Sequence, residues 1–138
     1  MKLSARNQIK GIVSNVEDGA VNGIVHLQFD GGVITGTITM NAIHELGLKK
    51  GAPATAIIKA TEVMVGLGDM KLSARNKLKG VITRIDIGAV NAVVEIETAG
   101  SHKITADITI NAVKELGLQV GMEAVAVIKA TSVMFTAD

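Results

Sequence analysis

The chain has 138 residues, is strongly apolar, carries a net charge of +1 and contains no cysteine. Without cysteine there are no disulfides, thiolate metal sites or cysteine nucleophiles. A charge so close to neutral argues against a nucleic-acid partner, which needs a basic stripe. No run approaches the roughly 18 uninterrupted apolar residues of a membrane span, so no membrane partner is expected. No secretory signal is visible either, which makes the cytoplasm the expected compartment. The apolar surplus then needs cover between repeats or between subunits, and the reading is a homo-oligomer.

Ile9 to Val16 is β-branched and ends at the turn Glu17-Asp18-Gly19, which reads as a first strand. Ile24 to Phe29 alternates apolar residues and stops at Asp30-Gly31-Gly32, a hairpin signal. Val33 to Met40 reads as a third strand. In Asn41 to Leu46 the apolar residues Ala42, Ile43 and Leu46 fall at helical spacing, with Asn41 placed to cap and Gly47 to terminate. After a turn at Lys49 to Pro53, Ala54 to Met64 reads as one long apolar strand.

The whole order then repeats. Met1 to Asn7 returns letter for letter as Met70 to Asn76, Gly19-Ala20-Val21-Asn22 as Gly88-Ala89-Val90-Asn91, and Ile58 to Thr61 as Ile128 to Thr131. One residue is inserted in the hairpin loop of the second copy, where loops tolerate it. Val65 to Asp69 joins the copies, so the expected domains are 1–68 and 69–138. The expected fold is mainly β: two tandem OB-like five-stranded barrels, each with one short helix before the last strand.

A tandem pair serves as its own comparison. The polar residues kept in both copies are mostly donors, among them Ser4, Arg6, Asn7, Asn22, Thr39 and Lys59. Guanidinium, ammonium, hydroxyl and amide together suit a tetrahedral oxyanion. Thr39 stands at the mouth of the short helix, beside unpaired amides. The Gly19 to Asn22 turn forms a second candidate nest, giving two oxyanion sites per repeat. Gln8 becomes Lys77, His26 becomes Glu95 and Thr37 becomes Asp107, which reads as drift at exposed positions.

Catalysis finds no support. His26, His44 and His102 have no matching histidine in the other copy, and no nucleophile–base set or phosphate loop appears. The reading is a binding protein rather than an enzyme, with no cofactor. With only Phe29 and Phe135 as aromatic residues, the base-stacking surface of single-strand binders is missing as well.

Ser4-Ala5-Arg6-Asn7, Gly19-Ala20-Val21-Asn22, Glu45-Leu46-Gly47-Leu48 and Ile58 to Met64, in that order and twice over, resemble the molbindins. These are molybdopterin-binding-protein-like (Mop) or TOBE domains, and the resemblance is strongest to proteins with two such domains in one chain. It implies cytoplasmic binding and storage of molybdate or tungstate, in rings of six domains, here a trimer, with oxyanions held between domains. Carried over by motif, the ligands are Ser4, Arg6, Thr39, Ala42, Lys59 and Ala60. In the second copy they are Ser73, Arg75, Thr109, Ala112, Lys129 and Ala130. The turns Gly19, Ala20, Val21, Asn22 and Gly88, Ala89, Val90, Asn91 resemble the part that builds a second class of site. Two alternatives stand beside this reading: a regulatory or accessory molybdate-sensing module acting through a protein partner, and a structural oligomer whose basic residues only form salt bridges.

Overall fold

The computed structural model describes residues 2–137. The first repeat supplies β1 (Asn7–Glu17), β2 (Asn22–Phe29), β3 (Gly32–Thr39), α1 (Met40–Leu46), β4 (Pro53–Ile58) and β5 (Met64–Gly66). The second supplies β6 (Asn76–Ile87), β7 (Asn91–Thr98), β8 (Lys103–Thr109), α2 (Ile110–Leu116), β9 (Glu123–Ile128) and β10 (Met134–Ala137). They form two curled antiparallel five-stranded sheets, half-barrels of OB-like kind. Each long first strand carries a bulge, between Val13 and Asn15 in β1 and between Ile82 and Arg84 in β6. A bulge bends its strand and raises the local twist, which lets β1 and β6 each pair with neighbours on both sides of a curved sheet. Gly11 and Gly80 permit the close approach this needs: a Cβ there would run into the carbonyls of Gln28 and Glu97.

The strand order is β10-β4-β1-β2-β3 in one sheet and β5-β9-β6-β7-β8 in the other. Each sheet takes four strands from one repeat and its outer strand from the other. The run Ala54 to Met64, expected as one long strand, is therefore two. After Ile58 the chain leaves the sheet through a 3-10 turn at Ala60–Glu62, closed by hydrogen bonds from Glu62 N to Lys59 O (2.9 Å) and Val63 N to Ala60 O (3.2 Å). It then enters the other sheet as β5, pairing Met64 with Val127; β10 does the converse, pairing Met134 with Ile57. The helix thus precedes β4 rather than a single last strand.

The N-caps of the helices also differ from expectation, while the terminating glycines do not. Thr39, not Asn41, is the N-cap of α1, its Oγ1 accepting from Ala42 N at 3.1 Å, and Thr109 does the same for Ala112. A hydroxyl two residues earlier wins because Met40 is already helical. Gly47 and Gly117 end the helices with φ near 63° and 62°, in the left-handed region that favours glycine.

One apolar cluster runs through both repeats, with Val25, Leu27, Ile34 and Ile58 matched by Val94, Ile96, Ile104 and Ile128, all without measurable exposure. Two asparagines stitch the repeats together inside it. Asn7, expected as an anion donor, gives Nδ2 to Thr105 O (2.8 Å) and Ile58 O (3.2 Å) and accepts from Thr105 N (2.7 Å). Asn76 repeats the pattern on Thr35 and Ile128. Each amide imitates a strand backbone for the opposite repeat, and its hydrogen-bonding capacity is used there rather than for a ligand. Glu62 and Ser132, matched positions of the two copies, hydrogen-bond each other at 3.1 Å. Matched positions in contact place an approximate twofold axis between them.

Candidate functional site

Antiparallel pairing of β1 with β4 sets Asn7 opposite Ile58. The residues before β1 therefore lie beside those after β4, which brings Ser4 and Arg6 to Lys59 and Ala60. Together they line an open hollow of about 480 Å³, with Leu3 and Met134 among the apolar residues of its wall. The pairing of Asn76 with Ile128 does the same in the second repeat. There Ser73, Arg75, Lys129 and Ala130 line a hollow of about 350 Å³, bordered by Leu72 and Met64. Met134 and Met64 come from the exchanged strands, so each hollow is walled by both repeats. Among the described residues no ion pair occupies the side chains of Arg6, Lys59, Arg75 or Lys129. Exposed cations with no carboxylate partner, next to a hydroxyl, form an electropositive receptor for an anion.

The other expected residues gather elsewhere. Thr39, Ala42, Thr109 and Ala112 line neither hollow; they sit at the starts of α1 and α2. The Gly19 to Asn22 turn lies next to the first of these, since Asn22 pairs with Thr39 across β2 and β3 and Met40 N donates to Val21 O at 2.8 Å. In the second repeat Asn91 pairs with Thr109, and Ile110 N donates to Val90 O at 3.1 Å. Val21 and Val90 at the turn tips are 72% and 74% exposed. Each repeat thus presents two groups, Ser-Arg-Lys-Ala and helix start plus turn, and within one chain they are separate.

One contributor went unread in the sequence. Asp107, taken as drift at an exposed position, is half-buried and lines the first hollow. The clamp of Asn7 on Thr105 draws β8 alongside the start of β1, and Asp107, on the same face of β8 as Thr105, follows. Nothing local to its sequence announces this, because the contact crosses between repeats. Among the described residues no group of three potential metal ligands occurs, and no helix is long and apolar enough to cross a membrane.

Comparison with known proteins agrees with this architecture. The TOBE domain model matches residues 3–65 and again 72–135. A probable molybdenum-pterin-binding protein of Haemophilus influenzae is 54% identical over 68 residues, covering 49% of this chain and 99% of that protein. The molybdenum transport protein ModE of Herbaspirillum seropedicae is 38% identical over 97% of this chain, and the molybdenum-pterin-binding protein MopA of Rhodobacter capsulatus 36% over the same share. The chain spans about half the length of those two relatives, 51% and 52%. A crystal structure of the cytoplasmic molybdate-binding protein ModG with molybdate bound superposes over 100% of both chains, with a TM-score of 0.97 and 40% identity. These relatives are named for binding and transport, and none for a catalysed reaction. Two matches to one family model, one per repeat, place the chain in the TOBE domain family, as a tandem pair of domains from a group of binding proteins rather than enzymes.

Proposed function

We propose that the chain binds molybdate or tungstate at the two hollows and stores it in the cytoplasm. The observation that carries this is the doubled convergence of a hydroxyl, a guanidinium and an ammonium, without an ion pair to any carboxylate among the described residues, at Ser4, Arg6 and Lys59 and at Ser73, Arg75 and Lys129. Likeness along the whole chain to a molybdate-bound protein supplies the ligand class. Thr39 and Ala42, with Thr109 and Ala112, complete the hollows from neighbouring copies in a trimer, which accounts for their distance from the hollows of their own chain. The Gly19 to Asn22 and Gly88 to Asn91 turns, exposed at their tips, serve the second class of site.

Binding is passive. A tetrahedral dianion gains charge-assisted hydrogen bonds from Arg, Lys and Ser without rearranging covalent bonds. Selection against monoanions comes from charge. Selection against the smaller sulfate comes from reach, since each donor that a neighbouring copy buries and the anion leaves unpaired costs about 1–3 kcal/mol. A regulatory module acting through a protein partner is the other reading; half-length coverage of ModE raises it, and the full-length fit to ModG weighs for storage. Isothermal titration with sodium molybdate, with sulfate and phosphate as controls, tests the proposal. Uptake of more than one molybdate per chain with far weaker sulfate is expected. Absence of both heat and thermal shift with molybdate and tungstate would refute it.

A further inference from the structure

The two hollows differ at one wall. Asp107 lines the first, beside Ser4, Arg6 and Lys59, whereas no carboxylate lines the second among the described residues. Its counterpart across the duplication is Thr37 on β3, a neutral side chain. Asp107 Oδ1 is closed off from solvent and has no hydrogen-bond donor among the described residues, and no cation there forms an ion pair with the carboxylate. A half-buried carboxylate with one oxygen closed off and no paired cation keeps its negative charge close to the hollow, and its field acts on whatever enters the adjoining space. Two cations and one carboxylate leave the first hollow with a single net positive charge. Arg75 and Lys129 leave the second with two.

We infer that Asp107 ranks the two hollows. The one at Ser73, Arg75 and Lys129 takes a tetrahedral dianion first; the one at Ser4, Arg6 and Lys59 holds the same dianion at least about tenfold more weakly, as expected for one extra negative charge at close range in a partly solvated site. The repulsion on a monoanion is half that on a dianion, so the first hollow also discriminates less between charge states. Asp107 is thereby a specificity-determining residue, and the tandem chain becomes a store with a tight and a loose compartment. The inference rests on the oxyanion reading of the hollows.

Titrating the intact protein with sodium molybdate should resolve tight and weak binding at the two hollows. Arg75→Ala should remove the tight component and leave the weak one. Asp107→Thr, which copies the residue of the other repeat, should tighten the weak component about tenfold without altering the tight one. Asp107→Asn, close in shape, should do the same and guards against a packing effect of threonine. Equal affinity at both hollows in the unsubstituted protein, or a weak component unchanged by either Asp107 variant, overturns the ranking while leaving the oxyanion reading intact. No binding of molybdate by the unsubstituted protein removes the oxyanion reading, and the ranking with it.

Discussion

The two repeats agree closely where each clamps the other's backbone or caps its own helix, and differ near the approximate axis between them. Asn7 and Asn76 make the same hydrogen bonds, and Thr39 and Thr109 cap the same helices. By contrast, Glu62 meets Ser132 at the approximate axis. Gly36 lies under the ring of Phe135, where a Cβ would collide, while the matching residues are Ala106 on β8 and Val65 on β5, two strands that also run near one another. In a symmetric dimer of single repeats, an axial residue must face its own copy, so a glutamate there would face a glutamate. Duplication into one chain lifts that constraint. At the axis the two sides can then become complementary, acceptor against donor, and away from it the two equivalent contacts can be packed differently.

Three experiments would break or sharpen this comparison. The largest effect is expected from Asn7→Ala and Asn76→Ala. Each leaves an amide and a carbonyl of the opposite repeat, part-buried at Thr105 and buried at Thr35, without their partner, so each should cost about 2–5 kcal/mol in denaturant unfolding. Similar losses are expected for both; a clearly smaller loss at one would show that the clamps are not equivalent. Next, Gly36→Ala drives a methyl into Phe135 and should cost about 1–3 kcal/mol. Adding Phe135→Val restores the pairing of the other half and should recover part of that loss, and additivity in the double-mutant cycle would deny the coupling. The smallest effect is that of Ser132→Glu, which sets a second carboxylate against Glu62. A loss of about 1 kcal/mol at low ionic strength is expected, shrinking as salt is added. A deficit insensitive to salt would assign it to packing instead.

Much of this arrangement was legible in the residues. Alternation marked the first three strands of each copy, and Asp30-Gly31 marked their hairpin. Gly47 and Gly117 marked the helix ends, and the retained Ser, Arg and Lys marked the two hollows. Antiparallel pairing of β1 with β4 then made neighbours of Arg6 and Lys59, which stand far apart in the chain. The asparagines were singled out for their donors but given the wrong recipient, because a side-chain amide satisfies a strand backbone as readily as an anion. Asp107 was passed over because strand alternation reports a face and not the element packed against it.

Amino-acid order was enough to establish two copies of one small β unit, the glycines that end their helices, their turns and the chemical class of their retained side chains. These are local matters, decided by backbone preferences and by the spacing of apolar residues. The tertiary structure alone decided which sheet receives β5 and β10, whose backbone Asn7 and Asn76 complete, and which hollow Asp107 enters. The reason is physical. The open edges of β4 and β9 are matched, mostly apolar runs, Ala54 to Ile58 and Ala124 to Ile128, so a short apolar strand has no local ground for choosing between them. The choice falls to the 3-10 turns at Ala60–Glu62 and Ala130–Ser132, which carry the chain out of its own sheet and across the axis to its twin.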